Sequence, residues 1–338
     1  MMRLGLGSIL LALLCALGFA VPAAAQDFDT AAKFAILMDY DTGSILYSKA
    51  GDDRLEPASM AKLMTVAVVF TYLQQHKLSL DDEFFISEHA WKDGGAASGS
   101  STMFAKVNSK IRVEDLLKGV IVQSGNDAAI ALAEGIGGTE QVFARIENQL
   151  AGQIGLTNSH FVNATGLPDP DQYSSAHDIA MLARYIIQTF PEYYPIFSMP
   201  EFTWNKIKQP NRNSLLEVGI GVDGLKTGHT EESGYGEVVS APNDGRRLIA
   251  VVHGLNSMKQ RAEESRKLLT WGMRGFELLP VFPAGKVVAY ASVYGGDKSS
   301  VGLIGKGKID LLVPKGADAC PTATVTYKGP LRPPVEQG

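Results

Sequence analysis

The chain has 338 residues, enough for one large domain and a smaller one. Hydrophobic residues make up 45% and charged residues 20%, a balance that supports a sizeable core. The formal net charge of -5 excludes the basic footprint of a nucleic-acid binder, and no block of like charge reads as an interaction tail.

Residues 1–25 read as a signal peptide. Arg3 supplies the positive start, residues 4–21 are nearly all apolar, and Ala23-Ala24-Ala25 is a small-residue cleavage site before Gln26. The run is short for a membrane span. The protein is therefore expected to be exported, to a bacterial periplasm or cell surface. Cys15 lies inside the apolar run, so cleavage leaves Cys320 alone. Neither an internal disulfide nor thiolate metal chemistry is then expected.

Residues 33–38 read as a buried strand, and Asp41-Thr42-Gly43 as the turn to a second strand over 44–47. A helix is expected over 57–75, with a strongly apolar run over 63–70. Proline suits a first helical turn, because the amide it lacks would have no partner there. Ser59-Met60-Ala61-Lys62 then sets a hydroxyl and an amine three residues apart on one face. A serine hydroxyl becomes a nucleophile when a base takes its proton. A lysine is such a base if burial or a neighbouring cation lowers its pKa. Taken alone the pair is weak, since Ser-x-x-Lys arises by chance and Ser is common at helix starts.

Residues 81–109 are irregular and rich in Gly and Ser, notably over 94–101, and are read as a flexible surface loop in preference to a direct ligand contact. Helical spacing follows over 113–122, 127–134 and 139–151, then a loop over 155–170, then a helix over 176–189. Ser124-Gly125-Asn126 falls between the first two of these helices. A second hydroxyl there can relay a proton between Lys62 and a leaving group, and the Asn126 amide can hold a lysine or a substrate carbonyl. Ser-Gly-Asn is also ordinary helix punctuation.

From Val222 the pattern turns to strands. Lys226-Thr227-Gly228-His229-Thr230 is expected on a strand. A lysine there would keep Lys62 neutral by repulsion and attract a substrate carboxylate. Gly228 is expected to leave room for a substrate backbone lying along the strand. The amides of Ser59 and His229 are a candidate oxyanion hole. Strands over 234–241 and 247–255 are joined by Asn243-Asp244-Gly245, a strong hairpin turn, and a helix follows over 257–276. Strands at both ends with helices between them predict one antiparallel sheet flanked by helices, in the α/β (α+β) class. Phe282-Pro283-Ala284-Gly285 marks a boundary. A catalytic domain is expected at 26–283 and a small β-rich domain at 284–338. The latter's β-like segments, 287–293, 301–303, 309–313 and 322–327, read as an incomplete domain.

Ser-x-x-Lys, Ser-x-Asn and Lys-Thr-Gly, in that order, make up the penicillin-recognising acyl-serine set. The chain resembles the low-molecular-mass penicillin-binding proteins that are serine-type D-alanyl-D-alanine carboxypeptidases. The matching text includes Pro57-Ala58-Ser59-Met60-Ala61-Lys62, Ser124-Gly125-Asn126-Asp127-Ala128-Ala129, Tyr173-Ser174-Ser175-Ala176-His177-Asp178 and Asp223-Gly224-Leu225-Lys226-Thr227-Gly228-His229-Thr230. The resemblance implies the penicillin-recognising acyl-serine transferase fold followed by a small β-rich domain, with no cofactor and no metal. It implies Ser59 as the acylated nucleophile, Lys62 as its general base and Ser124 as the relay to a departing D-alanine. Asn126 would orient substrate, Lys226 and Thr227 would engage the terminal carboxylate, and His229, after Gly228, would contribute its backbone amide. Arg261 stands where the family places an arginine for the same carboxylate. The implied partners are peptidoglycan stem peptides, with β-lactams as inhibitors. Family members carry an amphipathic anchoring helix after the second domain. None follows here, which leaves membrane association at the inner membrane open. Glu237 stands where the family has an apolar strand residue, and it either faces solvent or perturbs the strand beside the site.

Three rival readings stand against this one. A class A β-lactamase would use a glutamate in a Glu-x-x-x-Asn pattern to activate the deacylating water. The region between Ala151 and Lys226 is read as lacking it. A zinc peptidase would need a His-Glu-x-x-His or His-x-His grouping, which the six histidines do not form. A non-catalytic wall-binding relative would keep its function without Ser59.

Overall fold

A computed structural model describes residues 28–243, 245–305, 307–316 and 324–335. The signal-peptide segment, Asp244 of the expected turn and Cys320 lie outside the described residues. The chain opens with β1 (Phe34–Asp39) and β2 (Ile45–Lys49), and a 3-10 turn, Ala58–Ala61, leads into α1 (Lys62–Gln74). Then come β3 (Glu83–Phe85), α2 (Glu88–Asp93), β4 (Lys110–Arg112), α3 (Val113–Val122), α4 (Asn126–Gly137), α5 (Glu140–Ile154) and α6 (Ala176–Thr189). The hairpin of β5 (Glu201–Trp204) and β6 (Ile207–Pro210) precedes β7 (Gly224–Thr230), β8 (Gly234–Asn243), β9 (Arg246–Leu255) and α7 (Met258–Gly275). The tail carries β10 (Phe276–Phe282), β11 (Val287–Ser292), β12 (Ser300–Ile304) and β13 (Ile309–Pro314).

The main sheet runs β2-β1-β9-β8-β7, antiparallel throughout, as expected of strands drawn from both ends of the chain. Alternation along β1 sends Ile36 and Met38 to one core and Ala35 and Leu37 to the other. The first core holds α1, which is buried on every side through residues such as Leu63, Met64, Val66 and Phe70. That is the pattern of an enclosed helix rather than an amphipathic surface one. Each such side chain contributes roughly 2 kcal/mol of burial energy. The second core lies under α7, which supplies Leu268 and Leu269.

Residues 81–109 are not a flexible loop. They contain β3, α2 and a 3-10 turn over Ala96–Ser98, and β4 follows directly. Ser87 caps α2, its Oγ accepting from the Ala90 amide at 2.9 Å. Beyond α2, the buried Asp127 carboxylate accepts from Thr102 Oγ1 at 2.6 Å and from the Met103 and Ala105 amides, both at 2.9 Å. Glycine and serine promise freedom in an isolated chain. A buried carboxylate in the first turn of α4 must be satisfied, and it orders the segment that satisfies it.

In the tail, β10 pairs with β13 and β11 with β12. The β pairing therefore begins at Phe276, ahead of the boundary expected at Phe282-Pro283. The segment expected over 322–327 forms no strand among the described residues. Tyr327 Oη instead accepts the Ser292 amide at 2.9 Å.

Candidate active site

The Pro57 carbonyl accepts from the Met60 amide at 3.1 Å, so Ser59 sits on a 3-10 turn rather than in the first α-helical turn. Ala58 takes the left-handed φ of +47°, a strained value for a residue with a Cβ. The turn presses against β7. A Cβ on Gly228 would stand 3.0 Å from the Pro57 carbonyl oxygen and 3.2 Å from the Met60 nitrogen. The missing side chain of Gly228 thus admits the turn that carries Ser59. This replaces the expectation that it clears space for a substrate backbone.

Lys62 opens α1 and is fully buried. Its Nζ lies 2.9 Å from Ser59 Oγ and donates to the Thr165 carbonyl at 2.5 Å. Burial lowers its pKa from 10.5 to about 7; the Asp127 charge pulls it back up and Arg212 pushes it down. A neutral amine has two N–H groups and one lone pair. With an N–H on Thr165, the lone pair is free to take the Ser59 proton. Burial, assisted by Arg212, does what the sequence reading assigned to repulsion from Lys226.

The Thr165 carbonyl is itself held in place. Asn163 Oδ1 accepts from the Thr165 and Gly166 amides at 3.2 and 2.8 Å. The Ala164 amide donates to Glu140 at 3.1 Å. Gly166 has φ +77°, and a Cβ there would meet the Ala58 carbonyl, so this loop and the Ser59 turn pack directly together.

Ser124 lies between α3 and α4 at φ +65°. It is buried, and its Oγ has no hydrogen-bond partner. Asn126 starts α4, with Nδ2 donating to Ser100 Oγ at 2.9 Å and Oδ1 unpartnered. Buried polar atoms of native proteins are nearly always satisfied, so two free ones beside a cavity fit a site that substrate completes.

On β7, the buried Lys226 donates to the Thr227 carbonyl at 3.0 Å. Burial, then the charges of Lys62, Arg212 and Arg261, push it well below the usual lysine range. Arg261, in the first turns of α7, donates from Nη2 to the Arg212 carbonyl at 3.1 Å. Arg212 was not anticipated. It lies in an irregular stretch after β6 with no periodicity to mark it, and only the fold brings it to Arg261.

Ser59, Ser124, Thr227, Arg212 and Arg261 line one cavity of about 190 Å3, with Gly228 on its wall. Ser101, from the Gly- and Ser-rich run for which ligand contact was the alternative reading, completes it with Tyr235 and Met258, neither of which was singled out from sequence. His229 lines the cavity too, its exposed ring stacked on Tyr235 at 3.8 Å. Lys62 lies behind Ser59, while Asn126 and Lys226 support the cavity without lining it. A larger cavity of about 530 Å3, beside His76 and Tyr193, holds none of these groups.

The structure decides two further sequence readings. Glu237 does not face solvent: it is fully buried and paired in register with Thr227, and the pairing of β8 with β9 shifts register between Tyr235 and Glu237, so the strand is irregular beside it. A Glu-x-x-x-Asn pattern does occur, at Glu201 and Asn205. It sits on the β5–β6 hairpin with Glu201 exposed and bridged to Lys208 at 2.5 Å, away from the cavity. Among the described residues, no group of three or more His, Cys, Asp or Glu is arranged to hold a metal ion.

A serine on a buried neutral lysine, facing a cluster of cations, is the equipment of an acyl-serine enzyme for substrates that end in a carboxylate. The comparisons with known proteins agree. Residues 20–257 match the family model described as D-alanyl-D-alanine carboxypeptidase, and residues 276–338 match the C-terminal domain of penicillin-binding protein 5. The D-alanyl-D-alanine carboxypeptidase DacA of Haemophilus influenzae is 46% identical over 283 residues, 83% of this chain and 72% of that protein. The structure of penicillin-binding protein 5 from Haemophilus influenzae superposes with a TM-score of 0.80 at 45% identity, covering 86% of this chain and 85% of the other. Penicillin-binding protein D2 from Listeria monocytogenes, solved in the ampicillin-bound form, gives 0.63 at 28% identity, covering 73% and 99%. The fold is that of the penicillin-binding proteins, and the chain belongs to the D-alanyl-D-alanine carboxypeptidase family.

Proposed function

We propose that the protein removes the terminal D-alanine from peptidoglycan pentapeptides through an acyl intermediate on Ser59. The observation that carries this reading is the fully buried Lys62, 2.9 Å from Ser59 Oγ, with a pKa lowered to about 7. Ser59 Oγ attacks the carbonyl carbon of the penultimate D-alanine while Lys62 takes its proton. The amides of Ser59 and His229 receive the oxyanion. Ser124 relays the proton to the departing amine, and the C–N bond breaks. Water then attacks the acyl carbon, with Lys62 again as base, and Ser59 is restored. Base catalysis of this kind supplies roughly a hundred- to ten-thousandfold in rate.

Lys226, Thr227 and Arg261, joined by Arg212, take the terminal carboxylate, and Asn126 orients the peptide. A β-lactam offers the same carboxylate beside a reactive amide, so penicillin acylates Ser59 covalently. Residues 1–25 direct the chain to the periplasm, where its substrate lies. Among the described residues, no helix is long and apolar enough to cross a membrane.

The test is D-alanine release from a peptide ending in D-Ala-D-Ala, with a Ser59→Ala control and a chelator. Release that survives the chelator and vanishes in the control supports the reading. No release from folded protein, or release that persists without Ser59, overturns it.

A further inference from the structure

Glu237 is a fully buried carboxylate beside the site, and acylation of Ser59 makes no use of it. It projects from β8 on the same face as its register partner Thr227, which lines the cavity. Its side chain is fully buried. Above it, Arg261 and Ser265 stand one turn apart on α7, so both side chains reach the same point. Ser265 Oγ donates to Glu237 Oε2 at 3.0 Å, and Arg261 Nε lies 3.9 Å from that same oxygen. Glu237 Oε1 and Arg261 Nε have no hydrogen-bond partner.

We propose that Glu237 is a positioning residue: it holds Arg261 by the Nε edge, so that the guanidinium lines the cavity and meets the substrate's terminal carboxylate. The assignment rests on the reading of Arg261 as a carboxylate ligand. Each edge of the guanidinium then has a task. Nη2 is committed to the Arg212 carbonyl, Nε faces Glu237, and the remaining edge is left for an incoming anion. Charge supports this division. Arg212 and Arg261 repel one another, and Lys226 adds to the same cluster. Glu237 is the carboxylate that the described residues set against Arg261. Without it, a buried guanidinium loses its counter-charge, and a long, flexible side chain near the start of a helix has a route to water.

Two opposite effects follow from neutralising Glu237. The cavity becomes more positive, which favours anion binding, and Arg261 is released, which opposes it. Release dominates, because the anchor acts at the contact itself while the gained potential is spread over several cations.

The experiment compares a peptide ending in D-Ala-D-Ala with the same peptide carrying a terminal amide, in wild type, Glu237→Gln and Glu237→Leu. For the carboxylate peptide, kcat/KM should fall roughly tenfold, chiefly through KM, while the amide peptide is unaffected. Glu237→Asp should recover part of the loss, and Glu237→Gln should cost nothing further in an Arg261→Gln background. Unchanged or stronger carboxylate preference in both single variants overturns the assignment, as does a fully additive double variant. If wild type releases neither D-alanine from the carboxylate peptide nor D-alaninamide from the amide peptide, the reading of the site fails and this assignment falls with it. If wild type is active and the Glu237 variants match it, only the role of Glu237 is lost.

Discussion

Lowering the pH from 7 to 5 should slow acylation of Ser59 by roughly fiftyfold, because it removes the neutral form of Lys62. The folded-state pKa is about 7. Half the molecules then carry a neutral Lys62 at pH 7, and about one in a hundred does at pH 5. A solvent lysine would be neutral in roughly one molecule in three thousand at pH 7, so burial enlarges the supply of base about a thousandfold. Raising the pH further can gain at most about twofold. The assay is the second-order rate of covalent labelling by a fluorescent penicillin, followed from pH 5 to 9. The same shift has a cost in stability. The folded pKa lies below the unfolded one, so between about 7 and 10.5 the unfolded chain binds the extra proton and stability rises with pH. Below pH 7 the full penalty applies, on the order of 5 kcal/mol for a shift from 10.5 to about 7. Lys62→Met should abolish labelling yet be more stable than wild type at pH 6, by a margin that shrinks towards pH 10. A labelling rate that is flat from pH 5 to 7, or a margin independent of pH, would refute the reasoning.

Two further outcomes are expected. Gly228→Ala places a methyl group 3.0 Å from the Pro57 carbonyl oxygen and 3.2 Å from the Met60 nitrogen. The Ser59 turn must retreat, so penicillin labelling should drop by about a hundredfold for roughly 1–3 kcal/mol of lost stability, as seen by intact-mass labelling and thermal melts. Glu147 is fully buried with Thr65 Oγ1 2.9 Å from its Oε1, and that hydroxyl also lies 2.8 Å from the Ala164 carbonyl. One hydroxyl has one proton, so the geometry calls for a neutral carboxyl that donates to Thr65, which donates to Ala164. Burial raises the Glu147 pKa well above 4.5, and the Glu140 charge adds to it. With the folded pKa raised, its contribution is complete below the unfolded value and is lost as pH rises towards the folded one. Glu147→Gln should therefore flatten the fall in urea midpoint between pH 5 and 8, and parallel curves for the two proteins would count against a neutral Glu147.

Local chemistry was legible in the chain. The spacing of α3 and α6 could be read residue by residue, since a 3.6-residue period is written in consecutive side chains. So could the approach of Lys62 to Ser59, because three residues span one turn of helix whether α or 3-10. Ser124-Gly125-Asn126 falls at the junction of two helices, with Asn126 opening the second, and Lys226-Thr227-Gly228 on a strand, as their composition suggested. Tertiary structure decided the rest. Glycine and serine over 94–105 read as freedom until Asp127 is buried among their amides. Gly228 reads as space for a ligand until the Ser59 turn is seen to fill it. The face on which Glu237 points is set by register with β7, to which residues eight or more away along the chain contribute. Arg212 carries no pattern at all. Most of all, a lysine in a sequence is a cation. Lys62 becomes a base only once α1 is enclosed and the Thr165 carbonyl closes over it, because it is the loss of water, not the identity of the side chain, that lowers its pKa.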